Sequence, residues 1–468
     1  MVFSSLIFVF LFLPVTLLIY YISPMRIRNA VLLAASLIFY AWGEPVYIFL
    51  MIFSAVFDYV NGILIDRYRQ RKVIAHGVLI LSMMGSLGML GFYKYAGFVF
   101  DNINSLFNLH LQAAELPLPV GISFYTFQTM SYIIDVYRRK VPVQKNLIAF
   151  GAYVTMFPQL VAGPIVKYED IAGQLANRKV TLEHFGEGAE LFITGLAKKV
   201  LLANNIGVLW ASSKAVPAAE LSVLSAWLGI IAFTFQLYFD FSGYSDMARG
   251  LGKMIGFEFM ENFNYPYISK SITEFWRRWH ISLGSWFREY IYIPLGGNRA
   301  GKLKQLRNLA VVWFITGLWH GASWNFIIWG LYFGLFVTLE KLILLKQLQR
   351  LPVLVSHVYT LMIVIIGWVF FEFEQLPAAL TFIGTMFGAG THGFADNRAL
   401  YDLSGNALLL LILTVCATPL PGKALARIRT RFARSGTLAA LAIYFIFIAA
   451  STAYLVNATY NPFLYFRF

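Results

Sequence analysis

Charge is what this sequence has little of. Only 13% of its 468 residues are charged, while 59% are hydrophobic and 17% aromatic. Soluble domains carry roughly 25% charged residues, so a soluble enzyme, a secreted disulfide scaffold and a disordered chain are all excluded. Cysteine is nearly absent. The one thiol, Cys416, lies in the apolar run 408–420. A single cysteine forms no intrachain disulfide and no cysteine-based metal cluster. A thiol buried in hydrocarbon is also hard to ionise, which argues against a thioester-forming nucleophile. The GxxxxGK[ST], GxSxG and HExxH patterns are missing as well, and with them the signatures of P-loop, hydrolase-elbow and zincin chemistry. No metal site is expected. No internal repeat, low-complexity tract or appended soluble domain is visible.

Apolar runs recur along nearly the whole length. They predict an all-α polytopic membrane protein forming one transmembrane domain over residues 1–468, with room for about ten to thirteen membrane segments at ~20 residues per crossing. The net charge of +14 then marks cytoplasmic loops and contact with anionic headgroups of the bilayer, not nucleic acid. Residues 2–22 are uncharged, and Arg26 and Arg28 follow. That order predicts an uncleaved first span with its N-terminus outside. Runs 30–42 and 46–65 form an out-and-back pair ending at Arg67, Arg69, Arg71 and Lys72. Runs 75–92 and 120–136 form another, ending at Arg138, Arg139 and Lys140. The acid-free cluster Lys423, Arg427, Arg429, Arg431 and Arg434 precedes one final run, 438–456, which places the tail 457–468 outside. Between residues 146 and 307 the apolar runs look short and interrupted, by Pro158, Gly163, Pro164, Pro266, Pro294 and Gly296–Gly297. Two readings stand there: re-entrant helices around an internal chamber, or loops with amphipathic surface helices.

Chemistry concentrates in residues 236–340. FQLYFDFSGYSDMARG begins at Phe235, ITEFWRRWHISLGSWFREYIYIPLGGN at Ile272 and GLWHGASWNFIIWG at Gly317. His320, between Trp319 and Gly321, is flanked by uncharged stretches on both sides and so belongs at membrane depth. An ionisable group there usually faces a cavity or a partner, and imidazole accepts a proton near neutral pH. His280 follows Trp276, Arg277, Arg278 and Trp279. This cluster reads either as an interfacial anchor or, with Arg288, as a cationic mouth for a phosphorylated cytoplasmic donor, since the guanidinium fork binds two phosphate oxygens. Asp240 and Asp246 can orient a histidine or a ligand hydroxyl, or cap helix ends. The Gly-xxx-Gly pairs at Gly317/Gly321 and Gly330/Gly334 fit ordinary helix packing. His76, His110, His184, His357 and His392 lack comparable surroundings.

At these residues the chain resembles the membrane-bound O-acyltransferases, in particular their alginate O-acetyltransferase-like branch. The likeness runs nearly end to end: the opening MVFSS, FPQLVAGPI from Phe157, FDFSGYSDMARGLG from Phe239, FWRRWHISLGSWFREYIYIPLGGN from Phe275 and WHGASWNFIIWG from Trp319. The resemblance implies a toroidal helical fold, thin at its centre, with re-entrant helices around a central tunnel. It implies that His320 is the catalytic histidine and that His280 supports it. It also implies that Tyr465, in the terminal FLYFRF, holds the acyl group in transit. Interfacial anchoring is the other reading of Tyr465. Trp319, Asn325, Asp240, Arg277 and Arg278 are the expected substrate-binding residues.

The implied activity is O-acetylation of an extracytoplasmic polysaccharide by a protein of the bacterial cytoplasmic membrane. Acetyl-CoA would be the donor substrate, with no tightly bound cofactor, and a secreted SGNH-like acetyltransferase the partner. The competing readings are D-alanyl transfer to teichoic acid from a carrier protein, lipid or protein acylation, and a small-molecule transporter. Transporters often carry inverted repeats, and none is found.

Overall fold

The computed structural model describes residues 1–112, 116–161, 163–299, 301–457 and 464. Among them the regular structure is all helical, as lipid demands of a chain whose backbone must satisfy its own hydrogen bonds. Among the described residues eight helices are long and apolar enough to cross a membrane: Ile48–Arg67, Lys72–Phe107, Leu182–Lys214, Val223–Met254, Trp324–Leu348, Val353–Glu372, Asn397–Cys416 and Arg434–Asn457. Shorter apolar helices cover Phe8–Ile22, Arg28–Ala41 and Leu376–Met386. The chain is therefore a multi-pass membrane protein. It divides into two compact units, Met1–Phe192 with Tyr244–Met260, and Ile193–Gly243 with Glu261–Phe468.

The region 146–307 is less broken than its sequence suggests. Short helices do occur there, at Leu147–Thr155, Phe157–Leu160 and Tyr168–Ala176, but so do two of the longest. The prolines that punctuate the region fall outside both long helices. Glycines inside them serve close packing. A Cβ on Gly250 would lie 2.5 Å from the Gly188 carbonyl oxygen, and one on Gly243 would lie 2.7 Å from that of Gly195.

The first unit packs Phe3, Phe8, Phe39 and Phe157 into an aromatic cluster. A polar cluster lies between the helices Ile48–Arg67 and Lys72–Leu90. The buried Asp58 accepts hydrogen bonds from Ser82 Oγ at 2.6 Å and Ser86 Oγ at 3.1 Å. Neutral hydroxyl donors satisfy this carboxyl at membrane depth.

The second unit is built around tryptophan. Trp276 contacts Trp313, Trp329 and Phe333 at ring-centroid distances of 4.9, 5.6 and 4.9 Å. Trp279 meets Trp368 at 4.9 Å. The final helical stretch, Leu420–Asn457, is sharply bent. A Cβ on Gly436 would lie 2.3 Å from the carbonyl oxygen of Ile428, whereas eight residues of straight helix span ~12 Å. The basic segment thus folds back on the final apolar span.

Candidate active site

His280 is placed by a short helix and the turn after it. The helix Ile272–Arg278 begins at Ser271, whose hydroxyl accepts from Glu274 N at 3.0 Å. Its first two amides donate to the Glu340 carboxylate, Ile272 N at 2.6 Å and Thr273 N at 2.7 Å. A carboxylate at a helix N-terminus meets both the orphan N–H groups and the positive end of the helix dipole. His280 itself adopts a left-handed backbone, φ 46° and ψ 54°, which costs a non-glycine residue ~1–2 kcal/mol. Backbone bonds lock that turn: Ile281 N donates to Asn262 O at 3.0 Å and Asn264 N to Arg278 O at 2.9 Å.

The imidazole is 2% exposed. Its Nδ1 lies 3.1 Å from Asn262 Oδ1, an oxygen that also accepts from Ser282 N at 3.2 Å and Ser282 Oγ at 2.9 Å. Those two donors identify the atom as the amide oxygen, so Nδ1 carries the proton and the ring's acceptor lone pair is on Nε2. Phe241 and Phe263 flank the ring.

His320 ends the helix Lys302–His320. It is 5% exposed, walled by Trp329 at 4.8 Å and Phe371 at 5.4 Å. Its position follows from how closely its helix approaches Trp324–Leu339. A Cβ on Gly317 would lie 2.3 Å from Phe326 O, and one on Gly330 the same distance from Trp313 O. Only glycine permits that spacing. The wall residue Phe371 belongs to Val353–Glu372. The end of that helix is tied by Glu372 to Trp210 Nε1 at 3.1 Å and Lys214 Nζ at 2.6 Å.

Trp319 joins the two centres. Its ring centroid is 6.0 Å from that of His280 and 5.0 Å from that of His320. Two buried imidazoles from segments forty positions apart thus share one indole. The family model described as MBOAT, membrane-bound O-acyltransferase family, matches residues 136–373, a span that contains both.

The chain belongs to the membrane-bound O-acyltransferase family. It is similar over its whole length to a protein of Azotobacter vinelandii named as a probable alginate O-acetylase, with 41% identity and all of both chains covered. A protein of Pseudomonas aeruginosa with the same name is 45% identical over 88% of this chain and 80% of its own. A peptidoglycan O-acetyltransferase of Helicobacter pylori is 35% identical over 83% of this chain and 80% of its own. This membrane-bound O-acyltransferase is accordingly an acetyl-transferring enzyme of the alginate O-acetylase-like branch.

The remaining expected residues occupy varied settings. Asp240 is 1% exposed and lies within the helix Val223–Met254, so it caps no helix end. Its Oδ1 pairs with Lys199 Nζ at 2.7 Å, and Oδ2 accepts from Leu464 N at 2.8 Å. Asp246, on the same helix, faces Arg249 at 3.5 Å. The Asn325 amide donates to the backbone carbonyl of Phe373. Arg277 is exposed and has no ion pair among the described residues. Arg278 is held by Glu274 at 2.9 Å and by Asn264 O at 3.1 Å. Tyr465 lies outside the described residues. Sequence reasoning passed over Asn262, Lys199 and Glu340. The last two carry a readable signal, charge inside an otherwise apolar stretch. Asn262 carries none, because its role exists only through a partner eighteen positions away.

Proposed function

We propose that this enzyme moves an acetyl group from cytoplasmic acetyl-CoA to an extracytoplasmic polysaccharide, in the cytoplasmic membrane of a bacterium. The observation that carries the reading is the shared indole, which sets two buried imidazoles together within the stretch matched to the family. The relatives named for O-acetylation extend over four-fifths or more of this chain. A teichoic acid D-alanyltransferase of Streptococcus thermophilus is 30% identical over 49% of it and 58% of its own length. That contrast favours acetyl over D-alanyl transfer.

In the proposed chemistry His320 is the general base. It takes the proton from an acceptor hydroxyl as the oxygen attacks the thioester carbonyl. The C–S bond breaks, and the leaving thiolate recovers the proton from the imidazolium. His280, fixed by Asn262 and in contact with Trp319, positions and polarises. Confining both reactants in a water-poor site supplies proximity. The donor's phosphates lie near Arg277, with Arg278 next to it in sequence and Arg288 eleven residues on. Leu464, bound through its backbone to Asp240, precedes Tyr465, whose hydroxyl is the proposed relay to a secreted SGNH-like partner that completes transfer.

Membranes incubated with labelled acetyl-CoA and polymer test this. His320→Ala should lower base-labile polymer label by ~10²–10⁴-fold with membrane abundance unchanged. Retained label would reject the general base. In the same assay Tyr465→Phe keeps the ring and loses the hydroxyl, so undiminished label would reject the relay alone.

A further inference from the structure

The first unit holds a second cationic site, independent of the acyl-transfer reading. A pocket of about 270 Å³ is lined by Arg178, Lys179, His184, Lys253, Gly256 and Phe257, with Glu258 and Gln174 also at its wall. Arg178 is only 7% exposed, yet it pairs with no carboxylate among the described residues. Its guanidinium is nevertheless fixed. Nε donates to Tyr20 Oη at 2.6 Å and Nη1 to Asn29 Oδ1 at 2.7 Å. The plane lies 4.7 Å from the Phe257 ring centroid and 5.5 Å from that of Tyr20. Nη2 is buried with no acceptor among the described residues.

A buried charge without a countercharge is costly, and neighbouring cations add to that cost unless they are themselves paired. Lys253 has its own partner, Glu187 at 2.5 Å. Lys179 is exposed and has no ion pair among the described residues. Gly256, also at the pocket wall, lets its turn pack closely on residues 178–180. Its φ is +87°, and a Cβ there would meet Val180 Cγ2 at 2.9 Å and Lys179 O at 3.3 Å. One pocket wall thus carries a fixed, buried guanidinium and an exposed lysine next to it in sequence. With Nε and Nη1 engaged, Nη2 is the nitrogen left to donate, and a phosphate oxygen is a charged acceptor suited to it. Tyr20 sits at the end of the first apolar helix that leads into Arg26 and Arg28, the cytoplasmic end by the positive-inside distribution.

We propose that this pocket binds a phosphate group at the cytoplasmic face, gripped by Arg178 and Lys179. Two sources share that chemistry: a soluble phosphorylated metabolite and the headgroup of an anionic phospholipid. The full-length protein in phosphatidylcholine nanodiscs is titrated with sodium pyrophosphate, against sodium chloride at equal ionic strength, while the thermal unfolding midpoint is followed. A parallel sample is reconstituted with phosphatidylglycerol. Binding to the folded state raises the midpoint. A rise with pyrophosphate identifies a soluble ligand, and a rise only with phosphatidylglycerol identifies the headgroup. In either case Lys179→Gln, an exposed change that leaves the packing intact, should weaken the effect about tenfold, equivalent to ~1.4 kcal/mol. Arg178→Lys, which keeps the charge and removes Nη2, should weaken it similarly. No rise from either source, or a rise fully retained in Lys179→Gln, overturns the proposal.

Discussion

The segment 262–282 and the helix pair Lys302–His320 with Trp324–Leu339 each deliver a histidine to Trp319, and they do so by different physics. Around His280 the backbone is forced into a left-handed turn, and a polar pin, Asn262, decides which ring nitrogen carries the proton. Around His320 the determinant is how close two helices come, set by glycines whose missing Cβ atoms leave room for neighbouring carbonyls. The first arrangement fixes tautomer and orientation, and the second fixes position. The proton transfer proposed for His320 needs both, since a proton acceptor misplaced by ~1 Å loses much of its rate advantage.

The sharpest way to break the comparison is at the helix pair. Gly330→Val would place a side chain on Trp313 O and on the Gly317 backbone, whose atoms lie 2.3 and 3.0 Å from the ideal Cβ. Backbone cannot swing aside as a side-chain tip can, so the expected cost is ~3 kcal/mol or more. Folded yield in detergent, monitored by size exclusion and thermal midpoint, should fall together with activity. An unchanged midpoint would show that glycine spacing does not set the position of His320.

His280 predicts a subtler separation. His280→Gly removes the imidazole and relieves the left-handed strain, whereas His280→Ala removes the imidazole and keeps it. Glycine ordinarily destabilises relative to alanine through chain entropy. Here the order should reverse, with the glycine variant ~1 kcal/mol more stable by denaturant or thermal unfolding. Both variants should lose acetylation about equally, by ~10–100-fold, if the ring supports proton transfer. Activity retained in the glycine variant alone would assign His280 to the turn and not to the chemistry.

What was readable in the sequence follows the same division. Low charge and recurring apolar runs established a polytopic helical protein, because the bilayer leaves the backbone few alternatives. Histidines among tryptophans marked the segments that meet at Trp319. The region 146–307 was misjudged in part. Charges such as Glu187, Lys199, Asp240 and Asp246 interrupt its hydropathy, but its two longest helices continue through them. In the second unit, Lys199 and Asp240 neutralise each other within hydrogen-bonding distance. In the first, Asp246 faces Arg249 and Lys253 faces Glu187. Pairing of this kind is invisible to a hydropathy window. Asn262 was missed for a related reason: no local pattern encodes a partner supplied by a distant turn.

The arginine pair beside His280 offers the smallest and most discriminating effect. Sequence alone made Arg277 and Arg278 equivalent candidates for donor phosphates, and the structure separates them. Arg278 spends its fork on Glu274 and the Asn264 carbonyl, whereas Arg277 is exposed and has no ion pair among the described residues. Arg277→Gln should therefore raise the apparent KM for the proposed donor, acetyl-CoA, about fivefold, the scale of one exposed charge contact. kcat should stay nearly constant, the signature of binding shared equally by ground and transition states. Arg278→Gln frees Glu274 and loosens the turn that carries His280, so kcat should fall as well. Equal and purely KM effects in the two variants would mean that the Glu274 clamp opens when donor binds and that both guanidinium groups reach it.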